Sequence, residues 1–200
     1  MMLQRDVFIK EIYKALKKNK KIYFLSADFG AEALDHLRKD YPNNFIHCGI
    51  SEQAMFDVAS GLALENKNVF VYAMAPFISL RALEQIKCGP SIMNLSMTIL
   101  SVGIGLGYAD AGPTHYATED FACLKSIIGT KIFTPCDNLT VQLLAKDIIK
   151  KNSGLNYIRL DRHPVNENIS GLNNKTFLDG FKIIGNFKKN KVALIGHGRI

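Results

Sequence analysis

Apolar positions along the chain fall into two alternating kinds of run. Some recur every three or four residues amid charge, as in amphipathic helices; others form short unbroken blocks, as in buried strands. Residues 4–18 carry Val7, Ile12, Ala15 and Leu16 at helical spacing, and Ile22-Tyr-Phe-Leu-Ser-Ala27 is a strand block ending at Asp28-Phe-Gly30. Ala31 to Arg38 predicts a helix, and Phe45-Ile46 a second strand. From Ser51 to Glu65 the pattern is helical again, with Met55, Val58, Ala59 and Leu62 apolar, Ser51 as N-cap and Glu52 in the first turn. Val69-Phe-Val-Tyr-Ala-Met74 predicts a third strand. Pro76 opens a helix to about Lys87 that Cys88-Gly89-Pro90 stops. Met97 to Val102 is a fourth strand, followed by a glycine-rich segment to His115. A helix from Thr118 to Ile127, a strand from Lys131 to Thr134, a helix capped by Asn138 and running to Lys150, and a strand from Asn156 to Leu160 follow.

Continuous apolar strands alternating with helices specify an α/β fold, a parallel sheet with helices on both faces. Residues 163–190, rich in Asn, Lys and Gly, read as a surface connection, and Lys191-Val-Ala-Leu-Ile-Gly196 reads as a further buried strand. The expected layout is therefore one domain over 1–165, a linker over 166–190, and the first strand of a truncated C-terminal domain over 191–200.

Composition narrows the function classes. A chain of 200 residues that is 48% hydrophobic and 22% charged can bury an ordinary core. The net charge of +7 comes from lysines dispersed at element ends, with no nucleic-acid-binding motif, so nucleic acid is not an expected partner. Its basic balance suits anionic substrates instead. The four cysteines, Cys48, Cys88, Cys123 and Cys136, form no CxxC pair, which points to reduced thiols and a cytoplasmic setting. No apolar run has transmembrane length, and the N-terminus lacks a signal-peptide pattern, so no membrane role is expected.

The candidate chemistry gathers at strand ends. Glu52 sits at a strand-to-helix junction, where α/β folds build their sites; a carboxylate there also simply complements the helix dipole. Several segments then occur in a recognisable order: Ser26-Ala27-Asp28, Gly49-Ile50-Ser51-Glu52-Gln53, Ala75-Pro76-Phe77, Arg81-Ala82, Glu84-Gln85-Ile86, Gly112-Pro113-Thr114-His115 and Arg159-Leu160-Asp161-Arg162. Together they resemble transketolases, and more closely the C-terminal, pyrimidine-binding subunit of split transketolases.

The resemblance implies thiamine diphosphate with Mg²⁺ as cofactor, and transfer of a two-carbon ketol unit between sugars or sugar phosphates. It implies that Glu52 hydrogen-bonds N1′ of the cofactor's aminopyrimidine, that Phe77 packs on that ring, and that Met74 fills a position often aromatic in the family. Ile50 completes the cofactor-binding set. Asp28 matches a carboxylate near the cofactor, or else caps the next helix. His115 matches a histidine that contacts substrate. Arg162 matches an arginine that binds sugar phosphate; a domain-boundary ion pair is its other reading. No Gly-Asp-Gly followed by a downstream Asn occurs in the chain, so the metal and diphosphate are expected on an N-terminal, diphosphate-binding partner subunit. A homodimer of pyrimidine domains, and a heterotetramer with the partner, are implied as well.

Two positions depart from the family pattern. An aspartate usual before Gly-Pro-Thr-His is Ala111 here, with Asp110 displaced by one residue, and a histidine linked to phosphate binding is Gly103. Both point to an unusual sugar. A deoxyxylulose phosphate synthase-like subunit, an oxo-acid dehydrogenase E1 beta-like subunit and a non-catalytic scaffold are the alternative readings.

Overall fold

The computed structural model describes residues 2–27 and 30–165. Asp28, the linker at 166–190 and the strand expected at 191–200 lie outside the described residues. Six strands form one parallel sheet: β1 (Ile22–Ala27), β2 (Phe45–Gly49), β3 (Asn68–Met74), β4 (Met97–Val102), β5 (Thr130–Phe133) and β6 (Leu155–Leu160). Their spatial order is β2-β1-β3-β4-β6-β5. The α-helices are α1 (Gln4–Leu16), α2 (Ala33–Asp40), α3 (Glu52–Leu64), the short α4 (Leu83–Ile86), α5 (Asp120–Lys125) and α6 (Asn138–Lys151).

The inner strands β1, β3, β4 and β6 are buried almost throughout because both faces are covered, whereas the edge strands β2 and β5 are only partly buried. Side chains alternate across a strand. On β3, Phe70 and Tyr72 join Phe8 and Ile12 of α1 and Leu144 of α6 on one face. Val69, Val71 and Ala73 join Met55, Phe56 and Ala59 of α3, with Ile86 and Leu124, on the other. In-register neighbours continue each layer across the sheet, as in Leu25–Val71, Val71–Ile99 and Ile99–Tyr157. At about 25 cal/mol per Å² of apolar surface removed from water, these two layers are the main stabilising term.

Parallel pairing has a consequence for function. The loops after Gly49, Met74, Val102, Phe133 and Leu160 all leave the same edge of the sheet. The chain builds outward from β1 to β2, then crosses back to β3 on the other side of β1. That reversal opens a crevice at the carboxyl ends of β1 and β3, the usual ligand position in such sheets.

Three local expectations differ from the structure. The helix expected from Pro76 to Lys87 is a wide turn at Phe77–Arg81, the single turn of α4, and a second wide turn at Lys87–Ser91. Cys88-Gly89-Pro90 does not stop it. Proline removes one amide donor, and the longer bonds from Ile92 N to Lys87 O (3.0 Å) and from Leu95 N to Pro90 O (2.9 Å) carry the chain past it. The cap of α6 is Asp137, whose carboxylate accepts from Thr140 N at 2.7 Å. Asn138 lies inside the helix and donates its amide to Met2 O at 2.8 Å. Ser51 occupies the N-cap position of α3, but its hydroxyl turns back to the Cys48 carbonyl and caps nothing.

Candidate active site

Glu52 is the first residue of α3, immediately beyond β2, and only 4% exposed. Burial of a carboxylate requires a partner, and Arg81 supplies it: its Nη1 donates to Glu52 Oε2 at 2.6 Å. Arg81 ends the wide turn that begins at Phe77, and its guanidinium lies over the Phe77 ring, 4.4 Å from the centroid. The same ring meets the imidazole of His115 edge-on, with centroids 5.2 Å apart and planes at 73°. Loops following β2, β3 and β4 thus converge in one line, from Glu52 through Arg81 and Phe77 to His115.

Each member is held from its own side. Pro76 starts the wide turn, and Ser79 donates to Ala75 O at 2.6 Å, so the turn is pinned to the end of β3. Phe77 is half-buried, unlike the fully enclosed Phe8, Phe24, Phe56 and Phe70 of the core. Met74 ends β3 and is half-buried too. His115 closes a short 3₁₀ turn opened by Gly112, whose φ of 85° and ψ of −176° belong to a region essentially restricted to glycine. Thr114 Oγ1 and His115 Nδ1 share a hydrogen bond of 2.9 Å, which leaves Nε2 directed elsewhere.

Arg162, just beyond β6, is not in that line. Its guanidinium donates to both oxygens of Asp110, with Nη2 to Oδ2 at 3.2 Å, and to Gly107 O at 3.2 Å. It also lies over the Tyr108 ring, 4.3 Å from the centroid. It is thus held in an ion pair within the domain. The bond with Arg162 is the main cause holding the Asp110 carboxyl below its ordinary range, and the same bond raises Arg162. Ile50 is 76% exposed and takes no part in either group. Asp28 lies outside the described residues.

The sequence pattern includes Arg81 in one of its segments without assigning it a role, and Tyr108 goes unmarked. Arg81 was visible as the fourth residue after Phe77, one turn away. Tyr108 carried no signal, because its role depends on Gly103. A Cβ at Gly103 would stand 2.0 Å from Tyr108 Cε2, and φ there is +82°. The ring therefore fills the space a side chain at 103 would need. Gly103→Ala should cost about 1–3 kcal/mol through this overlap and the strained backbone, read as a lowered denaturation midpoint; an unchanged midpoint would mean that the loop yields freely.

Among the described residues no three His, Cys, Asp or Glu side chains gather as a metal site, and no helix is long and apolar enough to cross a membrane. All four cysteines are free.

Comparison with known proteins places the chain in a family. Residues 2–167 match the family described as transketolase, pyrimidine binding domain. The chain is 31% identical over 166 residues to one of the subunits of an apulose-4-phosphate transketolase from Phocaeicola vulgatus, covering 82% of this chain and 53% of that protein. It is 27% identical over 161 residues to the 6-deoxy-6-sulfo-D-fructose transketolase subunit SqwH of a Clostridium species, covering 80% and 50%. Among solved structures, a split-gene transketolase described as an inactive beta4 tetramer superposes with a TM-score of 0.74 at 28% identity, over 84% of this chain and 54% of that one. The chain thus spans about half the length of these relatives. With the match running from the first helix through the last strand of the sheet, this chain belongs to the transketolase family and comprises its pyrimidine-binding domain.

Proposed function

We propose that the chain is the pyrimidine-domain subunit of a thiamine diphosphate-dependent transketolase, which transfers a two-carbon ketol unit between sugars together with a partner subunit. The observation that carries this reading is the buried Glu52 carboxylate linked through Arg81 to the half-buried Phe77 ring. A flat heteroaromatic ring with one hydrogen-bonding edge needs an apolar wall and a buried acceptor. Phe77 and Met74 offer the wall and Glu52 the acceptor, so the residues fit the pyrimidine end of the cofactor.

When bound, thiamine diphosphate supplies a thiazolium carbon that acts as the nucleophile once deprotonated. Glu52 holds a proton at the pyrimidine N1′, and Arg81 keeps a compensating charge beside it. Phe77 orients the ring and excludes water from one face. His115, with Nδ1 occupied by Thr114, offers Nε2 to a substrate oxygen where charge develops. By the sequence resemblance alone, Ile50 and Asp28 are added to the cofactor-binding set. Arg162 contacts the far end of the sugar.

The diphosphate requires a divalent cation held by oxygen ligands. We assign that cation, Mg²⁺, to the partner, because the chain lacks the Gly-Asp-Gly…Asn pattern. Two relatives are named as transketolase subunits, and both carry the name of an uncommon sugar. This supports a split enzyme with an unusual substrate. The related beta4 tetramer supports self-association of this chain, and a homodimer alone and a heterotetramer with the partner are the assemblies we assign it. Four free thiols suit a reducing cytoplasm.

Calorimetry tests the split site. The isolated chain with thiamine diphosphate and Mg²⁺ should show no binding tighter than about millimolar. Addition of the diphosphate-binding subunit should bring micromolar affinity and ketol transfer. Micromolar binding by the isolated chain would overturn the two-chain site.

A further inference from the structure

We propose that Tyr157 is a positioning residue: its hydroxyl, anchored by Asp120, sets the wide turn that carries Phe77 and Arg81 and so aims both at the cofactor ring. The inference rests on the transketolase reading above and adds to it a residue of the inner sheet that touches neither cofactor nor substrate. Tyr157 is fully buried on β6 and shares one apolar layer with Ile78 of the turn and Ala82 at its end. Helix α5 packs against the same turn, and Asp120 is its first residue.

The turn needs support from outside. Its backbone bonds reach five residues along, a rare arrangement found mostly at functional sites. In such a turn residues four apart stand nearly one above the other, which brings Arg81 over Phe77. Between these two lies Ser79, fully buried, whose hydroxyl donates to Ala75 O at 2.6 Å. The Tyr157 phenol oxygen stands within reach of that same hydroxyl and of the Ser101 hydroxyl. The phenol gives its own proton to Asp120 Oδ2 at 2.8 Å, so its oxygen is left to accept. Asp120 is fixed in turn by Arg159, which donates to its two oxygens at 2.8 and 2.9 Å. A buried ion pair adds little stability over apolar packing. What this one adds is direction, because it holds the phenol in one place against Ser79.

Asp120 also follows the loop that carries His115. Gly105 and Ala117 exchange two backbone bonds, of 3.1 and 2.8 Å, so that loop is closed just ahead of α5. The buried cluster therefore joins both arms of the site, the turn with Phe77 and Arg81 and the loop with His115. The two arms meet where the Phe77 and His115 rings touch.

The test uses Tyr157→Phe, which keeps the ring and leaves Arg159 on Asp120. In the complex with the diphosphate-binding partner and Mg²⁺, calorimetry should show thiamine diphosphate bound about tenfold more weakly than in the wild type, the usual effect of one lost hydrogen bond. At saturating cofactor the KM for the sugar should be unchanged, and the melting temperature should stay within a few degrees of the wild type. Ser79→Ala should weaken the cofactor to a similar extent, and the double variant should lose no more than the larger single loss, as expected of one shared contact. Wild-type cofactor affinity in Tyr157→Phe, or losses that multiply in the double variant, would overturn the assignment. A second measurement needs neither cofactor nor partner: the NMR signals of the histidine rings in the chain alone. The edge-on contact with Phe77 shifts the His115 ring protons, and in Tyr157→Phe these should move. Those of His36, against Tyr13 on the other face of the sheet, should stay. A Tyr157 that only stabilises the fold would leave the His115 signal in place, and that result would overturn the inference. Ser79→Ala carries the same two readouts where Tyr157→Phe does not fold. If the wild-type complex binds no thiamine diphosphate, the transketolase reading fails, and the His115 signal alone decides Tyr157.

Discussion

Glu52→Gln should abolish most turnover of the assembled enzyme, by a factor of about 10²–10⁴, the usual contribution of a positioned acid–base group. The replacement keeps the shape of the side chain, and its amide oxygen can still accept from Arg81. It cannot exchange a proton with N1′. The fold should survive, because Arg81 is 41% exposed and water can solvate what the lost charge leaves behind. The variant should therefore melt within a few degrees of the wild type. Turnover under saturating cofactor, measured beside a melting curve, separates the two effects. A Gln variant at the wild-type rate would remove Glu52 from the chemistry. An inactive variant that also melts far below the wild type would make its role structural.

Asp120→Ala should be the most destabilising of the changes considered. Asp120 is fully buried at the start of α5 and receives Arg159 Nε at 2.8 Å, Arg159 Nη2 at 2.9 Å and the Tyr157 hydroxyl at 2.8 Å. Arg159 is itself only 7% exposed. Removing the carboxylate strands a buried guanidinium, which costs about 3–5 kcal/mol. At roughly 2–4 °C per kcal/mol for a domain of this size, the melting temperature should fall by on the order of 10 °C. A shift within a degree or two would mean that water reaches Arg159.

The same cluster has a spectroscopic signature. Burial, reinforced by the Asp120 charge, holds the Tyr157 phenol well above its ordinary value of 10.0. A group raised in the folded state stabilises the fold below its unfolded pKa, and that stability is lost as pH rises toward the folded value. The domain should therefore weaken above about pH 10, and ultraviolet titration should show Tyr157, and Tyr72 whose phenol burial also raises, ionising only with unfolding. In Asp120→Ala the Tyr157 ionisation should begin at lower pH.

Much of the architecture was legible locally. β1, β3 and β4 are nearly continuous apolar blocks, and a block that must be dry on both faces is a central parallel strand. Glu52, Phe77 and His115 stood out because the short segments around them occur in one order along an alternating chain. The irregular path from Pro76 to Ser91 did not, since apolar spacing near the helical period is shared by wide and ordinary turns. Nor did the caps: Asp137 and Asn138 are adjacent good capping residues, and the choice between them was made by the packing of Asn138 against the N-terminal segment. Ser51 has capping chemistry, but its hydroxyl found a nearer acceptor in Cys48 O.

By itself, then, the sequence determined the fold class, the length and kind of most elements, and the strand-end loops that carry the candidate site. Those properties follow from hydrophobic period and turn chemistry, which act within a few residues. Only the tertiary structure decided that β6 lies inside β5, that Arg81 partners Glu52, that Tyr108 fills the room at Gly103, and that Arg162 is bound to Asp110. Each joins residues from different loops or strands. Their meeting depends on how the whole sheet is ordered, and no pattern within a short stretch of chain encodes that order.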